Sequence, residues 1–276
     1  MAALSEAQVQ AYQDDGVIIV RDAVDSNWIE QLLAVADQQL QAPGKWANDG
    51  SPGAERDRMF TDRYMWQTVE PIKNYVFNSP CAELAAAAMQ SESARFYFDH
   101  LLVKEPGTAS VTPWHQDIPY WPFLGKQVCS IWLALTPATI AGSAMEFVRG
   151  SHKNDTYYQA EVFGNRDDHP NSAWTGNSQA EPVPDIQANR DAYDIIGWDV
   201  EPGDVVLFSS WILHWAGGNQ SQTSRRAALS TRWLGDDAIW HPHSGADPTV
   251  NPDEVSVAPG EAPTDNRFFP RVWPAS

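Results

Sequence analysis

The chain has 276 residues, and 36 Asp and Glu side chains outnumber 18 Lys and Arg, which gives a formal net charge of -18. Such a field repels polyanions, so we exclude nucleic acids and anionic membranes as partners. The length suits a single β domain with helical additions, and no apolar run approaches the ~20 residues of a membrane span. Two cysteines give no disulfide framework, and the N-terminus lacks the basic and apolar regions of a signal peptide. We therefore expect one domain in the cytoplasm.

The N-terminal third has a helical pattern interrupted by one short strand. Residues 5–12 predict a capped helix, 16–20 a strand, 26–40 an amphipathic helix and 82–89 a further helix. From residue 95 onwards the pattern changes to strands. These are expected at 96–98, 101–103, 128–135, 205–213 and 227–233, separated by Pro and Gly turns. Helices followed by strands favour helices packed on an antiparallel barrel.

The single domain, 1–276, divides into an N-terminal support (about 1–94), a barrel core (about 95–240) and a C-terminal tail (about 241–276). Two long irregular segments, 41–63 and 157–194, flank motif-bearing parts of the chain. Long loops in compact domains are usually functional or disordered, so these segments are either lids over a site or solvated surface loops.

One segment, Thr112-Pro-Trp-His-Gln-Asp117, carries a possible metal site. A His-x-Asp pair on an extended strand directs His115 and Asp117 to the same side. His214 ends the apolar run 204–214, which reads as a buried strand. Two His and one carboxylate form the facial triad of non-haem Fe(II) oxygenases. The alternatives are a surface strand for the pair and a core histidine for His214.

An arginine pair follows His214 after the turn-rich stretch 217–224, which should fold the chain back as an antiparallel hairpin. A guanidinium near an open iron site suits the distal carboxylate of a 2-oxo diacid. Alternation along a strand sends Arg225 and Arg226 to opposite faces. We choose Arg225 for this role, with Arg226 as the fallback.

The sequence resembles the phytanoyl-CoA dioxygenase family of Fe(II)/2-oxoglutarate oxygenases over most of its length. Four stretches in order carry the resemblance: Leu101-Leu-Val-Lys-Glu-Pro-Gly107, Trp114-His-Gln-Asp-Ile-Pro-Tyr-Trp-Pro-Phe123, Met145-Glu-Phe-Val-Arg-Gly-Ser-His152, and His214 through Arg225-Arg-Ala-Ala-Leu-Ser230. The resemblance implies a mainly β fold, a double-stranded β-helix (jelly roll, cupin-like) barrel buttressed by the N-terminal helices.

The resemblance also implies roles for particular residues. His115, Asp117 and His214 would bind Fe(II), and Arg225 would hold 2-oxoglutarate. Trp132 and His100 fall where family members have pocket-lining residues, although an aromatic residue within an apolar strand is as often core packing. Lys104 belongs to a group of basic residues in the motif-bearing part of the chain and is a further candidate for co-substrate binding.

The activity implied is O2-dependent hydroxylation of an unactivated C–H bond in a small metabolite, with release of succinate and CO2. Because Asp117 stands where a halogenase would have Gly or Ala, halogenation is disfavoured. Tyr120, Trp121 and Phe123 suggest an aromatic wall for an apolar or quaternary ammonium group. The protein is expected to be a monomer or homodimer. Two alternatives are a cupin-like metalloenzyme that does not use 2-oxoglutarate and a non-catalytic jelly-roll binding protein.

Overall fold

The computed structural model of the chain describes residues 3–160 and 180–275. Its α-helices are α1 (Glu6–Asp15), α2 (Ser26–Gln41), α3 (Glu70–Asn78) and α4 (Cys81–Met89). Ser5 caps α1 as predicted, since its hydroxyl accepts the Gln8 N–H while the Gln8 side chain accepts the Ser5 N–H. Helix α3 was not predicted. Its first turn has no side-chain cap, because Val69 occupies the N-cap position, so the usual starting signal is missing.

The strands follow in chain order, mostly after the helices. They are β1 (Val17–Val20), β2 (Asn48–Asp49), β3 (Met59–Arg63), β4 (Ala94–Lys104), β5 (Thr112–His115), β6 (Phe123–Leu124), β7 (Val128–Ala134), β8 (Met145–Val148), β9 (Ile195–Gly197), β10 (Val205–Ser209), β11 (His214–Ala216), β12 (Arg226–Leu234), β13 (Ile239–Trp240) and β14 (Arg271–Trp273). The two strands predicted at 96–98 and 101–103 form one continuous strand, β4.

The strands form two principal antiparallel sheets. The larger has the order β1-β10-β7-β12-β4-β3-β2, with β14 also paired to β4, and the smaller has the order β5-β11-β8-β9. Strands β6 and β13 pair separately. The predicted fold, a double-stranded β-helix supported by N-terminal helices, is confirmed.

The two faces of the larger sheet have different neighbours. Leu32 of α2 and Leu84 of α4 share one buried cluster with Ile131 and Leu229 of the sheet. Residues of the opposite phase, including Trp132 and Ala228, share another cluster with Phe147 of the smaller sheet. Successive side chains in a strand point to opposite faces. The even-numbered residues of β7 and the even-numbered residues of β12 therefore line the interior of the barrel.

Segments predicted to be irregular contribute to the larger sheet as well. Segment 41–63 contains β2 and β3, and β3 pairs with β4 over its whole length. The C-terminal tail adds β14 to the same sheet, and Phe269 is fully buried. Residues 161–179 of the second predicted lid lie outside the described residues. In the described part of the chain, no helix is long and apolar enough to cross a membrane.

Candidate metal centre

His115 and His214 occupy neighbouring strands of the smaller sheet. They are direct partners in the register of β5 and β11, and their ring centroids lie 4.1 Å apart. Both residues are buried, with exposed fractions of 5% and 3%. Strand pairing therefore brings together two imidazoles that are 99 positions apart in the sequence.

Asp117 joins the two imidazoles by a different route from the one predicted. Strand β5 ends at His115, and Asp117 precedes a 3-10 turn at Ile118–Tyr120 with helical backbone angles. Its N–H donates to the Ser210 carbonyl at 3.0 Å, which fixes the start of this turn. The Asp117 Oδ1 atom lies 3.6 Å from His115 Nε2 and 3.7 Å from His214 Nε2. The pair converges because the chain turns, not because it is extended.

The apolar run that ends at His214 is likewise not one strand. Strand β10 ends at Ser209 in the larger sheet, and β11 begins at His214 in the smaller one. Residues 210–213 between them are buried and, apart from Ser210, apolar, so little in the sequence marks the connection between the sheets. Residues 217–224 then return the chain to the larger sheet, rather than closing a simple hairpin between β11 and β12.

Hydrogen bonds orient all three side chains for a metal. His115 Nδ1 lies 2.8 Å from the Pro113 carbonyl, and His214 Nδ1 lies 3.0 Å from the Ile212 carbonyl. A carbonyl only accepts, so each Nδ1 carries the proton and each Nε2 lone pair points to the centre. The Ser130 hydroxyl donates to Asp117 Oδ2 at 2.7 Å, which leaves Oδ1 facing the two imidazoles. One ligand atom from each residue lies within 4.8 Å of the others, and this donor set fits a divalent transition metal.

The protonation states agree with metal binding, which requires neutral imidazole and ionised carboxylate. Burial, and then the nearby His115, lower the pKa of His214 to about 3. Burial alone would raise the pKa of Asp117. The positive charge of Arg232, together with the neighbouring imidazoles, outweighs this effect and holds the pKa of Asp117 well below its usual range. Arg232 belongs to the group of basic residues that the sequence placed in the motif-bearing part of the chain, but it was given no role at the metal, and Ser130 was not singled out at all.

Arg225 lies on the opposite side of the sheet from this centre. Its guanidinium pairs with Asp37 of α2 through Nη1 at 2.5 Å and with Glu105 through Nη2 at 2.7 Å, and its side chain is 31% exposed. Both cationic edges are engaged by carboxylates of the protein itself. The expectation that Arg225 reaches the metal side of the barrel therefore differs from the structure, because β12 begins one residue later and Arg225 faces the helices.

Arg226, the fallback, points into the barrel. It is 4% exposed, its Nε donates to the Ser143 hydroxyl at 3.1 Å, and its guanidinium lies over the Trp132 ring at 5.7 Å. Burial lowers the pKa of Arg226 to about 10. Within the described residues no carboxylate pairs with it. A buried guanidinium without an acidic partner is costly unless a ligand supplies one.

Lys104 is a second buried basic side chain beside Arg226. It is the register partner of Arg226 on β4, is 1% exposed, and donates from Nζ to the Gly217 carbonyl at 2.6 Å. Burial, and then the charge of Arg226, lower the pKa of Lys104 to about 6. His100 shares the inner phase of β4 with Lys104 and lies nearer the metal centre. Burial, and then Arg232, keep the pKa of His100 well below its usual value, so it is neutral.

Comparisons with known proteins agree with this architecture. The family model of phytanoyl-CoA dioxygenase (PhyH) matches residues 12–227. A "Probable phytanoyl-CoA dioxygenase" of Caenorhabditis elegans is 22% identical over 264 residues, covering 85% of this chain and 76% of that protein. The α-ketoglutarate-dependent carbocyclase SnoK from nogalamycin biosynthesis superposes with a TM-score of 0.72 at 21% identity, covering 98% of this chain and 96% of that one. The epimerase SnoN, solved with Fe3+, α-ketoglutarate and nogalamycin RO, gives a TM-score of 0.70 at 20% identity, with 97% and 98% covered. Because the family model covers most of its length, the chain belongs to the phytanoyl-CoA dioxygenase (PhyH) family.

Proposed function

We propose that the protein is a non-haem Fe(II)- and 2-oxoglutarate-dependent dioxygenase that hydroxylates a C–H bond of a small metabolite. In this proposal His115 Nε2, Asp117 Oδ1 and His214 Nε2 hold the iron. With 2-oxoglutarate and O2, ferrous iron in such a site supplies the oxidising power for C–H chemistry and releases succinate and CO2. Three protein ligands leave coordination positions for the two co-substrates.

The observation that carries the co-substrate part is the pair of buried basic side chains on the inner wall, Arg226 and Lys104. Arg226 and Lys104 have no carboxylate partner among the described residues, although the chain carries a large excess of acids. A dicarboxylic acid bound at the iron by one end would bring its other carboxylate to these two side chains. Arg226 is the better donor because its guanidinium matches a carboxylate with two parallel hydrogen bonds.

The wall between the metal and Arg226 suits the chain of such an acid. Trp132 on β7 contacts the Arg226 guanidinium, and Ser230 on β12 presents a buried hydroxyl without a partner in the described structure. Trp132 and Ser230 are register partners across β7 and β12. We assign the ring to packing against the acid's methylene groups and the hydroxyl to donation toward an acid oxygen. Both side chains are buried.

The two rival functions place different demands on these residues. A cupin-like metalloenzyme that does not use 2-oxoglutarate needs the three metal ligands but gains nothing from two buried basic side chains without acidic partners. A binding protein without chemistry needs neither the inward Nε2 atoms nor the Ser130 hydrogen bond that frees Asp117 Oδ1. The dioxygenase uses all of these features together.

The test is an anaerobic addition of Fe(II) and then 2-oxoglutarate to metal-free protein. We expect the visible charge-transfer band of a metal-chelated 2-oxo acid, and no band in Asp117→Ala. A succinate-release screen of metabolites then identifies the substrate, and the product's mass distinguishes hydroxylation from ring closure or desaturation. Iron-loaded wild-type protein that gives no band would refute the use of 2-oxoglutarate.

A further inference from the structure

Arg232 is a second buried arginine on the inner wall, and its charge is not neutralised by a hydrogen-bonded partner. It is 6% exposed, and its Nε and Nη1 atoms have no hydrogen-bond partner in the described structure. Its nearest carboxylate is Asp117, whose Oδ2 lies 3.9 Å from Nε, beyond hydrogen-bond distance. That oxygen already accepts from Ser130. A guanidinium in this state costs stability, so its position beside a metal centre points to a ligand.

The other acids near Arg232 are also engaged. Asp99 accepts the N–H groups of Met65 and Trp66 at 3.0 and 2.8 Å. Asp247 lies 2.9 Å from Nε of Arg63. Asp99 and Asp247 therefore act on Arg232 only through the longer-range field, and neither provides a direct ion pair.

Two aromatic rings hold the guanidinium in place. Its carbon lies 5.1 Å from the centroid of Phe98 and 5.6 Å from that of Trp121. These contacts orient the group and offset part of its charge without occupying its N–H donors in the plane. The rings also provide an apolar surface beside the cation, and both are buried in the same cluster.

Arg232 and Arg226 lie at different levels of the barrel. They share the inner phase of β12, and six residues of strand separate their backbones by about 20 Å. Arg232 is the register partner of Ser130, the residue that orients Asp117, so it lies at the level of the metal. A co-substrate that reaches from the metal to Arg226 extends away from Arg232.

The ion pairs around the metal leave Arg232 without a hydrogen-bonded anion. A ferrous ion is neutralised by Asp117 and by the co-substrate carboxylate that binds it. The distal carboxylate is matched by Arg226, and Asp247 is matched by Arg63. The charge of Asp99 reaches Arg232 without a direct contact, because its oxygens accept backbone N–H groups. A monoanion at this position would give the N–H donors of Arg232 the direct partner that they lack.

We propose that Arg232 binds a carboxylate of the primary substrate, whose apolar part packs on Trp121 and Phe98. The substrate class is therefore an organic carboxylic acid, oxidised at a carbon close to its carboxylate. This inference rests on the proposed dioxygenase function and specifies its substrate.

The experiment uses anaerobic protein loaded with Fe(II) and saturating 2-oxoglutarate. The probes are benzoate, hexanoate and cyclohexanecarboxylate, each compared with its neutral amide, and inorganic phosphate. We expect millimolar acids to shift the charge-transfer band and the amides to have little effect. In Arg232→Gln we expect the response to the acids to weaken at least tenfold, while the affinity for 2-oxoglutarate changes less than threefold. Arg232→Lys should retain part of the response.

Several outcomes overturn the inference. They are no response to any of the three acids, equal responses to acids and amides, an unchanged response in Arg232→Gln, or a stronger response to phosphate than to carboxylates. Loss of 2-oxoglutarate binding in Arg232→Gln would assign the residue to the co-substrate instead. If Arg232→Gln does not fold, the comparison of acids with amides in the wild type and in Arg232→Lys still tests whether Arg232 binds a carboxylate.

The failure of the dioxygenase proposal is recognised separately, since wild-type protein then gives no band before any probe is added. In that case the acids and amides are compared through their effect on the Tm of the metal-free protein. This second measurement tests anion binding at Arg232 without iron or 2-oxoglutarate.

Discussion

Replacing Arg226 with Gln should weaken 2-oxoglutarate binding far more than the same change at Arg225. Arg226 is 4% exposed and has no acidic partner in the described structure, so the co-substrate carboxylate would be its main counter-charge. Truncating one partner of a buried, hydrogen-bonded charge pair costs about 2–5 kcal/mol. A loss of about 3 kcal/mol corresponds to a roughly 150-fold higher Kd.

Arg225→Gln is the matched control, one residue away on the other face of the sheet. Its side chain is 31% exposed and already pairs with Asp37 and Glu105. Partly exposed ion pairs contribute about 0.2–1 kcal/mol to stability. We therefore expect a small fall in Tm and a change of less than about threefold in the Kd for 2-oxoglutarate.

The assay is an anaerobic titration of each iron-loaded variant with 2-oxoglutarate, followed through the charge-transfer band. Circular dichroism and Fe(II) affinity establish that both variants keep the fold and the metal. Tight binding in Arg226→Gln with weak binding in Arg225→Gln would refute the assignment and show that the alternation of β12 has been misread. An equally small change in the Kd for 2-oxoglutarate in both variants would mean that neither guanidinium contacts the co-substrate directly.

Three further predictions concern the metal ligands and Lys104. Ser130→Ala should weaken Fe(II) binding by about 10–100-fold, because Asp117 loses the hydrogen bond that orients it. Ser230→Ala is the control and should leave the Fe(II) affinity unchanged. Both affinities are measured by competition titration with a chelator. Lys104 has a pKa of about 6 in the free protein, and a bound dianion favours its charged form. The affinity for 2-oxoglutarate should therefore fall between pH 6.5 and 8.5. A pH dependence that persists in Lys104→Met would contradict this origin. The pKa of His214 is about 3 in the folded protein and about 6.5 in the unfolded protein, so the unfolded state takes up the proton first as the pH falls. The Tm of the metal-free protein should therefore fall as the pH drops from 6.5 to 4.5. The same fall in His214→Gln would exclude this histidine as the cause.

The sequence was sufficient to predict α1, α2 and α4, the strands β1, β4, β7, β10 and β12, and the grouping of His115, Asp117 and His214, because these depend on periodicity and on residue type. The phase of β12 was the point at which prediction failed. The inner positions of this strand include Arg226, Ser230 and Arg232, whereas the outer ones include Leu229 and Trp233. The polar residues at the even positions of β12 indicated Arg226 as the inward-facing arginine. The choice of Arg225 followed instead from its spacing from His214 in the motif.

The route of the chain around the metal was harder to predict. His115 and Asp117 were expected to converge through strand alternation, yet the strand stops at His115 and a 3-10 turn brings Asp117 round. Likewise, the apolar run before His214 hides a crossing between sheets, because buried turn residues resemble buried strand residues in hydropathy. Side-chain type fixed the chemistry in both cases, while tertiary contacts decided the path.

The contrast between the acidic exterior and the cationic interior determines where the affinity for an acid must arise. A net charge of -18 repels a dianion at long range, and added salt weakens this repulsion within a Debye length of about 8–10 Å. Arg226 and Arg232 are buried, so salt screens their attraction much less. Electrostatic steering therefore cannot account for acid binding by this protein. The free energy must come from short-range pairing inside the barrel, where each unpaired cation costs stability until an acid arrives.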